Sequence, residues 1–244
     1  MRNIKVTIEY DGTGYHGWQS QENAIAIQSV AEDAFKKLTG ENIKLIGASR
    51  TDTGVHAYGQ VANFLTESRI PGEKFFLAVN CLLPPDISIV HSEEVPEDFH
   101  SRFSAKGKKY KYLIYNDRAP SALMRSRAFH VPAPLNLEDM KKAADLIPGK
   151  RDFSAFKASG SSVKDSVRTV TGIELQKNDK IIELTVSGDG FLYNMVRIIA
   201  GTLVDVGLEK IAPDELSSIL ESKDRTKAGR TAPAQGLYLV EVYY

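Results

Sequence analysis

Twice in this chain the hydrophobic period switches between two residues and about 3.6, in the same order, and that alternation limits the folds open to it. Ile4, Val6, Ile8 and Tyr10 alternate with polar partners, the pattern of a half-buried strand. Ile27, Val30, Ala31, Ala34, Phe35 and Leu38 then fall on one helical face, with Gly40 placed to cap it. Strands follow at about 43–48 and 58–65, a short helix over 73–82 stopped by Pro84-Pro85, and a strand through Ile87, Ile89 and His91. The second half repeats the order. A strand runs over 108–116, and Asn136 can cap a helix carrying Leu137, Met140, Ala143, Ala144 and Ile147. Two strands, 167–176 and 180–187, turn at Lys177-Asn178-Asp179. A longer helix spans about 190–206, Pro213 can open a short extra helix, and a last strand runs from Leu237 to Tyr243.

Two strand-helix-strand-strand-helix-strand units define an α+β protein of two ferredoxin-like (βαββαβ) units with mainly antiparallel sheets. The expected units are 1–103 and 104–244, with the active-site cleft between them. With 244 residues, 42% hydrophobic and 25% charged, the chain has an ordinary globular composition rather than a disordered or collagen-like one. Such folds host many functions, so the chemistry must come from the residues of a site.

Several familiar motifs lead nowhere. Gly12-Thr13-Gly14-Tyr15-His16-Gly17 matches G-x-G-x-x-G after a strand, but six residues intervene before helical periodicity begins. A dinucleotide site needs the helix N-terminus at the glycines. The five histidines include no i,i+4 pair on a helix and have no cysteine pair beside them, so no metal is expected. No G-x-S-x-G elbow and no phosphate-binding P-loop sequence is present. Cys81, the one cysteine, lies in the apolar stretch 75–83 and reads as a small buried hydrophobe, which fits a reducing compartment. The N-terminus leads directly into a strand pattern without a signal-peptide h-region, and no apolar run reaches the length of a membrane span. These features predict a cytoplasmic protein without a membrane partner.

The most unusual stretch is the polar loop Gly47-Ala48-Ser49-Arg50-Thr51-Asp52-Thr53-Gly54-Val55-His56-Ala57 between two apolar strands. Asp52-Thr53-Gly54 is ordinary turn chemistry taken alone. Three features set it apart: Arg50 two residues before Asp52, the basic tyrosine strand Lys108-Lys109-Tyr110-Lys111-Tyr112, and Arg197 amid the apolar residues of 191–200. Arg197 is either an arginine with its stem packed and its head in solvent, or a partly buried cation that needs a carboxylate.

Together these segments resemble the tRNA pseudouridine synthase A family nearly end to end. The likeness runs from Tyr10-Asp11-Gly12 and Gly17-Trp18-Gln19 through Arg50-Thr51-Asp52 and Gly54-Val55-His56-Ala57. It continues through Phe99-His100, Arg102-Phe103-Ser104-Ala105, Lys109-Tyr110-Lys111-Tyr112 and Asp152-Phe153-Ser154, to Met195-Val196-Arg197 and Gly236-Leu237-Tyr238-Leu239-Val240. Ser49, Thr53 and Lys109 replace the family's usual glycine, alanine and arginine, and none of these removes a chemical group.

The resemblance implies an isomerase that converts uridine to pseudouridine at positions 38, 39 and 40 of the tRNA anticodon stem-loop. It implies a homodimer that needs no cofactor, since the reaction breaks the N1–ribose bond and rejoins the base through C5 without redox change. It assigns Asp52 as the catalytic nucleophile and Arg197 as the cation that keeps it ionised. Tyr110 becomes the ring that stacks on uracil, and Arg50 the side chain that fills the space left by the flipped base. His56 is read as structural. The alternatives are a non-catalytic RNA-binding module with two ferredoxin-like units and, on the weak glycine motif, a nucleotide-dependent enzyme.

Net charge at first argues against nucleic acid, because 31 basic residues balance 31 acidic ones. Along the chain the balance breaks up. Between Arg102 and Arg127, eight basic residues face one acidic residue, Asp117, for a local charge of +7. A basic segment interleaved with tyrosines suits phosphates and stacked bases.

Overall fold

The computed structural model describes residues 1–160 and 165–244. The chain divides into two compact units, Met1–Lys106 with Tyr238–Tyr244, and Gly107–Leu237. Residues 238–244, which the sequence reading groups with the second half, cluster with the first unit.

In the first unit, β1 (Arg2–Tyr10) lies between β3 (His56–Thr66) and β4 (Ile87–Val95), antiparallel to both. The last strand, β10 (Leu237–Tyr243), adds to β3 in parallel, with Tyr238 opposite His56. The short β2 (Ile46–Gly47) pairs antiparallel with the far end of β3. Helix α1 (Ile27–Thr39) buries the predicted face through Ile27, Ala31, Ala34 and Phe35. It ends at Gly40, whose φ of 77° lets its N–H reach the Lys36 carbonyl. Phe35, Phe64 of β3 and Phe75 of α2 (Phe75–Val79) meet with ring centroids 4.7–6.3 Å apart and form the core under this sheet.

The predicted strand over 43–48 shrinks to two residues for a visible reason. The backbone N–H of Leu45 donates to Glu32 Oε1 and its carbonyl accepts from Gln28 Nε2. Side chains of α1 thus take the bonds that a strand ladder would need.

In the second unit β5 (Gly107–Asn116), β9 (Ile181–Gly188), β8 (Val167–Asn178) and β7 (Gly149–Asp152) are antiparallel neighbours in that order. The short β6 (Phe129–Val131) runs parallel to β5. Helix α3 (Leu137–Ala144) is capped by Asn136, whose Oδ1 accepts the N–H of Asp139, as predicted. Helix α4 (Met195–Gly207) starts later than its apolar pattern suggests, because Asn194 is left-handed at φ 59°. Twelve of its thirteen residues are buried, and Arg197 alone is not. Gly207 lies against Met140 of α3, where a Cβ would stand 2.7 Å from the sulfur. A last short helix, α5 (Glu215–Ser222), buries Leu216, Ile219 and Leu220. The architecture is α+β with mixed strand pairing. None of the helices described is long and apolar enough to cross a membrane. Cys81, expected in the core, is exposed. It follows the short α2, whose inward face is already supplied by Phe75 and Val79.

Candidate active site

The Asp52 loop is held from several sides in the first unit. Ser49 and Thr51 are buried, Arg50 is exposed and Asp52 is half-buried. Gln60 of β3, fully buried, donates to the Ser49 carbonyl at 2.7 Å. The Tyr10 and Thr51 hydroxyls lie 2.7 Å apart, and the backbone N–H of Trp18 donates to the Thr51 carbonyl at 3.1 Å. Val55 N–H closes the turn on the Asp52 carbonyl at 3.1 Å, and Gly54 supplies the left-handed residue at φ 77°.

The glycine motif finds its role here. A Cβ on Gly12 would stand 2.0 Å from the Val55 carbonyl oxygen, and one on Gly17 2.4 Å from that of Thr51. These glycines let segment 11–18 lie directly against segment 51–55. The intervening Gly14 would meet nothing within 4 Å. The glycine turn itself is a short 3-10 helix, Gly12–Gly14, thirteen residues before α1 begins, so the helix terminus a dinucleotide site requires is absent there. His56 is buried; its Nδ1 accepts the Gly12 N–H at 3.1 Å, and its ring stacks on Tyr238 with centroids 4.7 Å apart. Arg50 makes no ion pair among the described residues; its guanidinium reaches Gln19 Oε1 at 3.5 Å.

The second unit carries Tyr110 and Arg197. Tyr110 sits in the middle of β5 opposite Val186, nearly buried, with Phe191 edge-on at 5.2 Å. Two residues on, Tyr112 is fully buried; its hydroxyl donates to the Pro233 carbonyl at 2.7 Å, and burial pushes its phenol pKa well above the usual range. Arg197 is half-buried at the start of α4. Its Nε donates to the Ala232 carbonyl and its Nη1 to Asn194 Oδ1, each at 2.8 Å. Sequence reasoning passes over Asn194 because it places that residue inside the helix; the Asn-x-x-Arg spacing is the available signal.

The basic stretch is partly compensated. Lys111 pairs with Glu183 of β9 at 3.3 Å, while Arg118 and Arg125 are exposed. In the first unit Arg102 lies over the ring of Phe103, which is 76% exposed.

The first unit holds a braced carboxylate loop and the second a basic, tyrosine-bearing strand, and the comparisons with known proteins give the class, an isomerase that acts on tRNA. The family model described as tRNA pseudouridine synthase matches residues 6–104 and 143–244. The chain belongs to that family and is therefore an isomerase. It is 61% identical over 244 residues to tRNA pseudouridine synthase A of Acetivibrio thermocellus, 59% over 245 to that of Ruminiclostridium cellulolyticum, and 56% over 244 to that of Thermoanaerobacter sp.. Each comparison covers 100% of both chains.

Proposed function

We propose that this protein isomerises uridine to pseudouridine at positions 38, 39 and 40 in the anticodon stem-loop of tRNA, with Asp52 as nucleophile. The observation that carries the reading is the Arg50-Thr51-Asp52 segment. Its buried residue is bonded to Tyr10 and Trp18, while Arg50 is exposed and Asp52 half-buried. A fixed backbone is what an attacking carboxylate requires, since orientation supplies much of the rate. Covalent attack splits the breaking and remaking of the glycosidic bond into two steps and needs no redox partner. Arg197 supplies positive charge to the reaction, and Tyr110 the ring on which the uracil stacks. Arg50, exposed and bonded to a neutral glutamine, is the side chain that replaces the flipped base.

In the same reading each unit is ferredoxin-like. The first has the order β1-α1-β2-β3-α2-β4, with β1 between β4 and β3 and with β2 on β3. The protein works in the cytoplasm as a homodimer, the state implied by the family resemblance.

Tritium release from C5-labelled uridine in tRNA tests the function directly. The native protein should release tritium and Asp52→Ala should release none. Release by Asp52→Ala would overturn the role of the aspartate. Binding of tRNA without release by the native protein would favour the non-catalytic RNA-binding module.

A further inference from the structure

We infer that Asn194 is a positioning residue for Arg197: its side-chain amide and the Ala232 carbonyl together fix the plane of the guanidinium. The inference rests on the reading of Arg197 given above and deepens it.

Asn194 occupies the N-cap of α4, where an asparagine side chain ordinarily accepts a backbone N–H of the first turn. Here it makes no such capping bond. Its Oδ1 instead accepts from Arg197 Nη1 at 2.8 Å, three residues along the helix. The backbone conformation, φ 59° and ψ 9°, is one that most L-residues resist and that asparagine and glycine tolerate. Two requirements thus coincide at one position: a left-handed start to the helix and an acceptor aimed at its first charged side chain.

The second acceptor is equally fixed. Arg197 Nε donates to the Ala232 carbonyl at 2.8 Å, and the Ala232 N–H returns a bond to the Arg197 carbonyl at 3.0 Å. The next residue, Pro233, is tied by its carbonyl to the hydroxyl of buried Tyr112. The Ala232 segment also lies tight on the helix, since a Cβ on Gly201 would fall 1.8 Å from the Arg230 carbonyl oxygen. A guanidinium is planar, so two bonds to anchored acceptors on different nitrogens define its orientation. Both acceptors are uncharged, and neither neutralises the cation.

Glycine separates the two roles of Asn194. Asn194→Gly keeps the left-handed conformation without strain and deletes the acceptor. The readouts are single-turnover tritium release, tRNA affinity and thermal unfolding, with Arg197→Leu measured in parallel. Asn194→Gly should keep its Tm and bind tRNA within about twofold of native, yet lose at least about tenfold in single-turnover rate, the scale expected of a misplaced group. A native rate in Asn194→Gly, with Arg197→Leu inactive, would overturn the positioning role and leave Asn194 as a helix start only. A native rate in Arg197→Leu would instead remove the reading of Arg197, and this inference with it. If Asn194→Gly also lowers Tm, rates taken at a temperature where the variant is fully folded decide: a lowered rate with native tRNA affinity supports the inference and a native rate overturns it.

Discussion

The hydroxyl of Tyr10 lies 2.7 Å from the hydroxyl of Thr51, and both residues are buried. One hydroxyl donates to the other, which ties the end of β1 to the residue before Asp52. Tyr10→Phe removes a partner from a buried polar group, which costs about 1–3 kcal/mol. Replacing both, in Tyr10→Phe with Thr51→Val, should cost less than the sum of the single changes. Denaturant unfolding of the three variants measures the difference.

Gly12→Ala and Gly17→Ala should each destabilise the protein by about 1–3 kcal/mol or more, the range for overpacking a tight site. Their added methyl groups would overlap the carbonyl oxygens of Val55 and Thr51, and Gly17 also sits at φ 83°. Tritium release should fall with them, because the displaced atoms belong to the Asp52 loop. Gly14→Ala should stay within about 0.5 kcal/mol of native, as surface changes usually do. Thermal melts of the three variants would distinguish this packing role from a ligand-binding glycine motif, in which Gly14 would matter too.

Asp152 links stability to acid. The bond from the Ser154 hydroxyl lowers its pKa most, burial opposes that shift, and the ammonium of Lys223 lowers it further. A carboxylate depressed in the folded state contributes stability that is fully present above its unfolded pKa of about 3.9. That contribution is lost as pH falls through the lower, folded value. Asp152→Asn should therefore lower Tm at neutral pH and show a shallower fall in Tm below about pH 4. Parallel Tm–pH curves for native and variant would refute the linkage.

Binding of tRNA should respond to salt through local charge, since the chain as a whole is neutral. Arg118 and Arg125 are exposed in the basic stretch. Replacing both with Gln should weaken binding and reduce the slope of log affinity against log salt by about 0.7–0.9 for each phosphate that is no longer neutralised. Titrations between low and moderate salt would show it, and an unchanged slope would mean that these arginines face solvent in the complex.

Much of the fold can be read from the residues alone, for identifiable reasons. The strands β1, β3, β5, β9 and β10 and the helix α1 carry long, unambiguous periods, and they form where expected. Strands β6 and β7 have no such signal. They are three and four residues long, and Gly149-Lys150-Arg151-Asp152 has no apolar alternation to detect. Asp52, Arg50, Tyr110 and Arg197 are marked out by the family resemblance of the segments that carry them. Their braces do not stand out. Gln60, Tyr10 and Asn194 are ordinary residue types whose roles depend on partners 11, 41 and 3 positions away.

The sequence by itself determined the local periods, the caps at Asn136 and Gly40, and the residue types able to do chemistry, because each depends on neighbours within a few positions. The tertiary structure alone decided that the strand before the Asp52 loop is cut short by side chains of α1, and that Cys81 faces outward. It also decided that the glycines of a misleading motif serve to seat one loop on another. Those outcomes depend on which backbone atoms approach across long sequence separations, and steric fit and hydrogen-bond satisfaction at that range leave no period in the chain.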